Sequence, residues 1–231
     1  MRIKQYESRE QQAIALAEQV ASCLQQAFQA DGVMRLAVPG GTTPAPFMRA
    51  LSQQDLDWEA LLITLTDERQ VPFSHERSNA LLLEQNFLQY VQGAQFIPLF
   101  HEGQAQGGIQ QVNADLRADG LPLSSCVLGM GTDGHFASLF PSAEQLEEGL
   151  DTHNPAAALV VTGQDLPEPR VSLSLSALLS APELHLLISG AEKLQVIEQA
   201  QANIEADHAR RLPVEALLRA AGKKLTIHYA P

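Results

Sequence analysis

The chain has 231 residues, 45% of them hydrophobic, with a mean hydropathy of -0.08 and a formal net charge of -12. This composition is typical of a globular protein with a sizeable core, and its acidity argues against nucleic acid or an anionic membrane as partner. The two cysteines, Cys23 and Cys126, lie in apolar segments and predict buried free thiols, and the first residues lack an apolar signal core, so a cytoplasmic location is expected.

Strand-like and helix-like segments alternate along the chain. In chain order the pattern predicts a helix at 11–29, a strand at 33–38, a helix at 44–51, a strand at 61–66, a helix from 78 to about 90, a short apolar run at 96–100, a helix at 108–118, strands at 125–128, 159–162 and 184–189, helices at 192–201 and 214–221, and a final strand at 224–228. The stretches 103–108 and 163–169 are expected to be loops. This alternation predicts an α/β fold: a doubly wound, mostly parallel, Rossmann-like sheet with helices on both faces, forming a single domain over residues 1–231.

Ligands of such sheets bind beyond the carboxyl ends of the strands, and the first such end is glycine-rich. It reads P-G-G-T-T-P, in which Gly40 and Gly41 expose backbone N–H groups. Thr43 is expected to cap the next helix, with Pro44 at its first position. Such a turn at a helix N-terminus favours an anion, although a plain tight turn explains it as well. The lysine of a nucleotide triphosphate loop is missing.

The second strand end carries three consecutive ionisable residues, Asp67, Glu68 and Arg69. Arg69 has the planar donors that suit phosphate or carboxylate, and Asp67 is suited to position a water or a histidine. The alternative is a solvated turn in which Arg69 pairs with Glu68.

The third strand end reads L-G-M-G-T-D-G-H-F-A-S-L-F-P and is the most informative segment of the chain. Asp133 and His135 lie two residues apart in a tight turn, and a histidine exchanges a proton near neutral pH. After the fourth strand end, Lys193 falls in the first turn of a helix, where a cation is unfavourable unless an anion lies nearby. Arg170 is a further candidate cation.

These segments, together with H-E-R-S-N, P-R-V-S-L-S and S-G-A-E-K, resemble the 6-phosphogluconolactonase and glucosamine-6-phosphate isomerase/deaminase family. The resemblance implies a phosphosugar substrate whose phosphate is surrounded by Gly40, Gly41, Thr42, Arg170 and Lys193, with Thr43 in the same turn. It also implies that Asp67, Asp133 and His135 line the reactive end of the sugar.

The family holds two chemistries, and two departures favour the lactonase branch. The deaminase branch reads D-G-H-x-A-F-N-E-P, whereas this chain has Phe140 at the position of that glutamate; its D-E-Y is here D-E-R. The resemblance therefore implies hydrolysis of 6-phospho-D-glucono-1,5-lactone to 6-phosphogluconate in the oxidative pentose phosphate pathway. His135 would be the general base, supported by Asp133 or Asp67, and Arg69 or loop N–H groups would stabilise the oxyanion.

Three alternatives remain at this stage. The first is glucosamine-6-phosphate isomerase/deaminase activity with Asp67 as base, and the second is a non-catalytic phosphosugar-binding module. The third is a CoA-transferase-like protein, for which Glu68 would be the nucleophile. No cofactor and no metal are expected, since His135 and Asp133 lack a third ligand. The expected partner is the phosphosugar lactone, without nucleic acid or membrane, and the chain is expected to be a monomer or a small homo-oligomer.

Overall fold

The computed structural model describes residues 2–104, 108–164 and 166–231. Its strands, numbered β1 to β10, are Arg2–Gln5, Met34–Val38, Leu61–Leu65, Asp67–Arg69, Gln95–Ile97, Ser125–Gly129, Ala158–Val161, Arg170–Leu173, Leu184–Ser189 and Leu225–Ala230. Its helices, numbered α1 to α8, are Arg9–Asp31, Ala45–Leu51, Asn79–Asn86, Ile109–Asp115, Leu146–Leu150, Leu175–Leu178, Ala191–Glu205 and Pro213–Ala221. Three short 3₁₀ turns (Trp58–Ala60, Leu88–Tyr90, Gly222–Lys224) and a π turn (Leu116–Gly120) complete the described elements.

Seven parallel strands form the central sheet, in the order β1-β10-β9-β6-β2-β3-β5. Most residues of β2, β3, β6 and β9 are buried, as expected of parallel strands covered by helices. The predicted α/β fold with a mostly parallel sheet is therefore confirmed.

Helix α1 packs against the central sheet, and capping residues set both of its ends. Ser8 caps its first turn by accepting from the Gln11 N–H, and Gly32 ends it in the left-handed conformation at φ 76°. Its apolar face is buried, and the Gln12 side chain donates to the carbonyls of Ile188 and His228, each at 2.8 Å. Those two bonds tie the helix to β9 and β10.

The winding direction reverses between β2 and β6. From β2 the chain proceeds outward through β3 and β5, and from β6 it proceeds to the other side through β9 and β10. The carboxyl ends of β9, β6, β2 and β3 are therefore adjacent at the middle of one sheet edge. Open α/β sheets bind their ligands in the crevice at such a switch point.

A second, three-stranded sheet corrects several predictions. Strands β4, β8 and β7 pair antiparallel, so residues 159–162 do not belong to the parallel sheet, and 67–69 form a strand rather than a loop. Strand β1 was not predicted. Helix α2 starts at Ala45 with Pro44 at the cap position and no side-chain cap, so the expected cap by Thr43 is wrong.

Boundaries differ elsewhere as well. The helix expected from 78 to 90 breaks into α3 and a 3₁₀ turn, and the one expected at 108–118 continues as a π turn. The loop predictions for 103–108 and 163–169 reach residues 105–107 and 165, which lie outside the described residues. Cys126 is buried as expected, whereas Cys23 is only half-buried.

One apolar cluster joins the inner faces of the helices and strands. It includes buried leucines from α1, β2, β3, β6 and β9. Across the described residues, no helix combines the length and apolar character needed to cross a bilayer.

Candidate active site

A cavity of about 390 Å³ opens at the switch point of the central sheet. It is large enough for a phosphorylated sugar. Its walls include eight of the ten predicted site residues: Gly40, Gly41, Thr43, Asp67, Arg69, His135, Arg170 and Lys193. The four predicted strand ends are therefore brought together at one cavity.

The turn after β6 holds His135 and Asp133 as a hydrogen-bonded pair. The Asp133 Oδ1 atom lies 2.5 Å from His135 Nδ1 and also accepts from the His135 backbone N–H at 3.2 Å. Asp133 does not line the cavity but lies behind the ring that does. A carboxylate on Nδ1 places the proton there, so that Nε2 keeps the lone pair that a general base needs.

Gly131 leaves room for this pair. A Cβ atom at Gly131 would lie 2.3 Å from the Cε1 and Nδ1 atoms of His135 and 2.5 Å from Asp133 Oδ1. The turn is closed by backbone bonds from Gly131 N to His135 O and from Gly134 N to Gly131 O. A side chain at this position would therefore displace the ring rather than the backbone.

Replacing Gly131 by alanine is expected to lower kcat/KM for the phosphosugar lactone by about 10- to 100-fold, because displacing a catalytic group such as the His135 ring by about 1 Å slows reactions to this extent. The melting temperature should stay close to wild type. The matched control is Gly129→Ala, because Gly129 lines the same cavity but its added Cβ would meet only Pro39 Cβ, at 3.8 Å. Steady-state kinetics of both variants provide the test, and equal activities would show that the position of the pair is not critical.

Asp67 also lines the cavity, and hydrogen bonds hold it in place. Its Oδ2 atom accepts from the buried Ser138 hydroxyl at 2.6 Å, and its carbonyl accepts from the Asn79 side chain at 2.8 Å. The other carboxylate oxygen, Oδ1, accepts from the Thr66 hydroxyl at 3.4 Å, and Asp67 still lines the cavity at 8% exposure. The structure records no bond between Asp67 and His135, and it is Asp133 that contacts the imidazole.

Arg69 and Arg170 are directly opposite each other across the β4–β8 ladder. Like charges in this position repel each other unless an anion lies between them. Burial, followed by the charge of Arg69, lowers the pKa of Arg170. Glu168 lies 3.3 Å from Arg170 Nε and also pairs with Arg77, so it offsets part of this positive charge.

Glu68 does not pair with the Arg69 side chain among the described contacts. Its buried carboxylate instead accepts the backbone N–H groups of Arg69, Asn79 and Ala80 at 2.7 to 2.8 Å. Burial raises the pKa of Glu68, and these three donors lower it in part. The carboxylate thus fixes the start of α3 against β4, while the Arg69 side chain faces the cavity and donates to the Arg77 carbonyl.

Replacing Glu68 by glutamine should destabilise the fold by about 1–3 kcal/mol, because the new amide NH₂ group would face a buried N–H donor. Chemical denaturation measures the change. Glu76→Gln, in the exposed part of the same loop, is the control and should remain within about 0.5 kcal/mol of wild type. Equal stabilities would mean that the carboxylate is not needed for this cap.

The glycine turn and Lys193 form the third wall. Gly41 adopts φ +88°, and a Cβ on Gly40 would lie 2.0 Å from Asn79 Oδ1, so both positions require glycine. Burial, and then the charge of Arg9, lowers the pKa of Lys193, which stands in the first turn of α7. Thr42 does not line the main cavity; it lines a smaller cavity of about 120 Å³ beside Arg9.

Phe140 packs against His135, the candidate general base. Its ring centroid lies 4.2 Å from that of His135, and the Arg170 guanidinium lies 5.8 Å from the same phenyl ring. An apolar ring therefore occupies the place beside the imidazole where an acidic side chain would alter its proton affinity.

Three residues that shape the candidate site were not identified from the sequence: Asn79, Ser138 and Gly131. Asn79 lines the cavity, and its buried Oδ1 has no hydrogen-bond partner among the described residues. The sequence signal for Asn79 is the H-E-R-S-N segment, although the motif alone gives the asparagine no role. Ala137, between His135 and Ser138, has φ 48°, an uncommon conformation for a residue with a side chain.

Comparisons with known proteins show the family to which the chain belongs. A family model described as glucosamine-6-phosphate isomerases/6-phosphogluconolactonase matches residues 7–227. The chain is 40% identical to a 6-phosphogluconolactonase of Rhizobium meliloti over 221 residues, 95% of this chain and 94% of the relative. It is also 40% identical to that of Mesorhizobium japonicum, covering 98% and 94% of the two chains.

Solved structures resemble the whole chain. A 6-phosphogluconolactonase from Shewanella baltica superposes with a TM-score of 0.90 at 32% identity and covers 100% of this chain and 98% of its own. A monomeric glucosamine-6-phosphate deaminase shares the fold with a TM-score of 0.74 at 15% identity. The fold alone therefore does not separate the two activities.

Proposed function

Because the chain belongs to the glucosamine-6-phosphate isomerase/6-phosphogluconolactonase family, we propose that it hydrolyses 6-phospho-D-glucono-1,5-lactone to 6-phosphogluconate in the oxidative pentose phosphate pathway. The observation that carries the proposal is the Asp133–His135 pair facing Arg69, Arg170 and Lys193 across one cavity. The pair supplies a base for water, and the cations suit a phosphorylated substrate.

In this mechanism His135 Nε2 removes a proton from water as the water oxygen bonds to the lactone carbonyl carbon. Asp133 holds the ring and stabilises the imidazolium that forms. The carbonyl oxygen becomes an oxyanion, for which Arg69 is the candidate donor, a contribution of about 2.7–4 kcal/mol for such donors in other enzymes. The bond from the carbonyl carbon to the ring oxygen then breaks, and His135 returns its proton to that oxygen.

The cationic side chains of the cavity bind the substrate through its phosphate. Arg170, Lys193 and the Gly40–Gly41 turn hold the phosphate and thereby place the carbonyl near His135. Thr43 lies beside this turn, and Thr42 would reach only a phosphate that extends toward Arg9. Asp67 lines the cavity and is placed to accept from a sugar hydroxyl.

The deaminase alternative retains one supporting observation, since Asp67 lines the cavity with a fixed carboxylate. Phe140 argues against it, because a phenyl ring on His135 neither accepts nor relays a proton. A CoA-transferase-like reaction would need Glu68 as nucleophile, and that carboxylate is occupied by three backbone N–H groups.

Further properties follow as parts of the proposal. The continuous apolar cluster supports one domain over residues 1–231. The net charge of -12 favours a small-molecule substrate over nucleic acid. We place the protein in the cytoplasm, where the two free thiols stay reduced, as a monomer or small homo-oligomer that works without a cofactor.

The test compares substrates side by side. The purified protein is incubated with freshly generated 6-phosphogluconolactone and, separately, with glucosamine 6-phosphate, and products are identified by NMR. The expected result is 6-phosphogluconate formed faster than in the protein-free control, with no ammonia released from the amino sugar. Ammonia and fructose 6-phosphate would move the assignment to the deaminase branch. Binding of both phosphosugars with no turnover would indicate a binding module.

A further inference from the structure

Three side chains that bind transition metals meet at the amino end of β9, away from the cavity. Cys23 comes from α1, Glu183 immediately precedes β9, and His185 is its second residue. One donor atom of each lies within 4.8 Å of a donor atom of the other two. Glu183 and His185 are two residues apart at the start of a strand, so they project to the same face, which α1 covers.

His185 supplies the observation that points to a ligand. The residue is fully buried, yet its Nε2 atom has no hydrogen-bond partner among the described residues. Its Nδ1 atom lies 3.2 Å from His228 Nε2, and His228 Nδ1 lies 2.9 Å from the Tyr6 hydroxyl. Metal-bound histidines are oriented in this way, with one nitrogen on the ion and the other in a hydrogen bond.

The hydrogen bond between the two histidines also fits metal binding at His185 Nε2. His185 Nδ1 and His228 Nε2 lie within hydrogen-bond distance, so one of these nitrogens carries the proton and the other accepts it. If His185 Nδ1 carries that proton, Nε2 keeps a free lone pair. The opposite arrangement would leave a buried Nε2–H without an acceptor, which costs more than an under-used acceptor.

We propose that Cys23, Glu183 and His185 bind one zinc ion, with water as the fourth ligand. Thiolate, carboxylate and imidazole are the ligands that zinc takes in proteins, and the two anionic ligands balance its charge. A neighbouring cavity of about 520 Å³ is lined in part by Glu183 and Gln19, so solvent reaches the cluster at Glu183.

The ion would join α1 to the sheet and is separate from the proposed reaction. A metal ion binds a cysteine as the thiolate and therefore displaces the thiol proton of Cys23. A site that links a helix to a strand stabilises the folded state, since the unfolded chain does not hold the three ligands together.

Cobalt is the probe for this site, because Co²⁺ occupies zinc sites and shows thiolate charge-transfer and four-coordinate ligand-field bands. Titration of the metal-free protein should reveal these bands at one equivalent, and Zn²⁺ should abolish them. Zinc at about a hundredfold above its Kd should raise the melting temperature by roughly 5–10 °C. Lactone hydrolysis should be the same with and without EDTA. Failure to find the zinc site would therefore not count against the proposed activity, and failure to find the activity would not count against the zinc site.

Variants separate this site from incidental binding. Cys23→Ala should lose the charge-transfer band, and Glu183→Gln should weaken zinc binding at least about 10-fold, as loss of a ligand does. Cys126→Ala, which removes the buried thiol of β6, should keep the band and the zinc-dependent shift. Melting in EDTA checks that each variant folds. No bands in the wild-type protein, or equal bands in Cys23→Ala, would overturn the proposal.

Discussion

Replacing His135 by alanine is expected to reduce kcat/KM for 6-phosphogluconolactone by about 10³-fold, within the range that general-base groups contribute. The ring lines the cavity, and Asp133 holds its Nδ1 atom at 2.5 Å, so no second group among the described lining residues combines a free imidazole lone pair with a carboxylate behind it. The loss should fall mainly on kcat, because the cations that hold the phosphate are unchanged.

Stopped assays corrected for spontaneous hydrolysis measure this effect. The matched control is His153→Ala, because the His153 side chain is 92% exposed and also pairs with an aspartate two residues earlier, Asp151. That variant should retain wild-type activity. If His135→Ala folds, binds 6-phosphogluconate and still hydrolyses the lactone at the wild-type rate, the assigned base is wrong although the activity stands.

Replacing Arg170 by alanine should also lower kcat/KM for the phosphorylated lactone by about 10³-fold, corresponding to about 4 kcal/mol. Here the loss should appear mainly in KM. Arg170 lies opposite Arg69 on the neighbouring strand, and burial lowers its pKa, so a dianion bound at Arg170 offsets positive charge that the free protein holds close together. Glu168 keeps its pairing with Arg77 in the variant.

The decisive readout is selectivity for the phosphate. Wild type and Arg170→Ala are compared on 6-phosphogluconolactone and on unphosphorylated gluconolactone, and the variant should lose most of the preference while its activity on the unphosphorylated lactone changes little. Arg117→Ala, an exposed arginine that donates to the Pro155 carbonyl, serves as the control. An unchanged preference in Arg170→Ala would place the phosphate elsewhere in the cavity.

The position of the site could be predicted from the sequence because parallel strands place their carboxyl ends at one edge. Gly40, Asp67, His135 and Lys193 each follow a buried strand, and β2, β3, β6 and β9 are neighbours in the sheet. Side-chain pairing was less predictable. The support of His135 by Asp133 depends on the backbone geometry of the turn at Gly131, which spacing alone does not define.

The small antiparallel sheet escaped prediction for a physical reason. Strand β4 is three residues long, D-E-R, and charged, so it carries neither alternation nor an apolar run. Its Glu68 is buried because backbone N–H groups of α3 satisfy the carboxylate, and such contacts depend on the tertiary fold. The face-to-face arrangement of Arg69 and Arg170 follows from that sheet and could not be derived from their separation in sequence.

The most direct test is the rate at which the purified wild-type protein converts freshly generated 6-phosphogluconolactone to 6-phosphogluconate, relative to the spontaneous rate in the same buffer. We expect an acceleration that grows in proportion to enzyme concentration and saturates with substrate. A rate equal to the spontaneous background, from folded protein that binds 6-phosphogluconate, would contradict the proposed function.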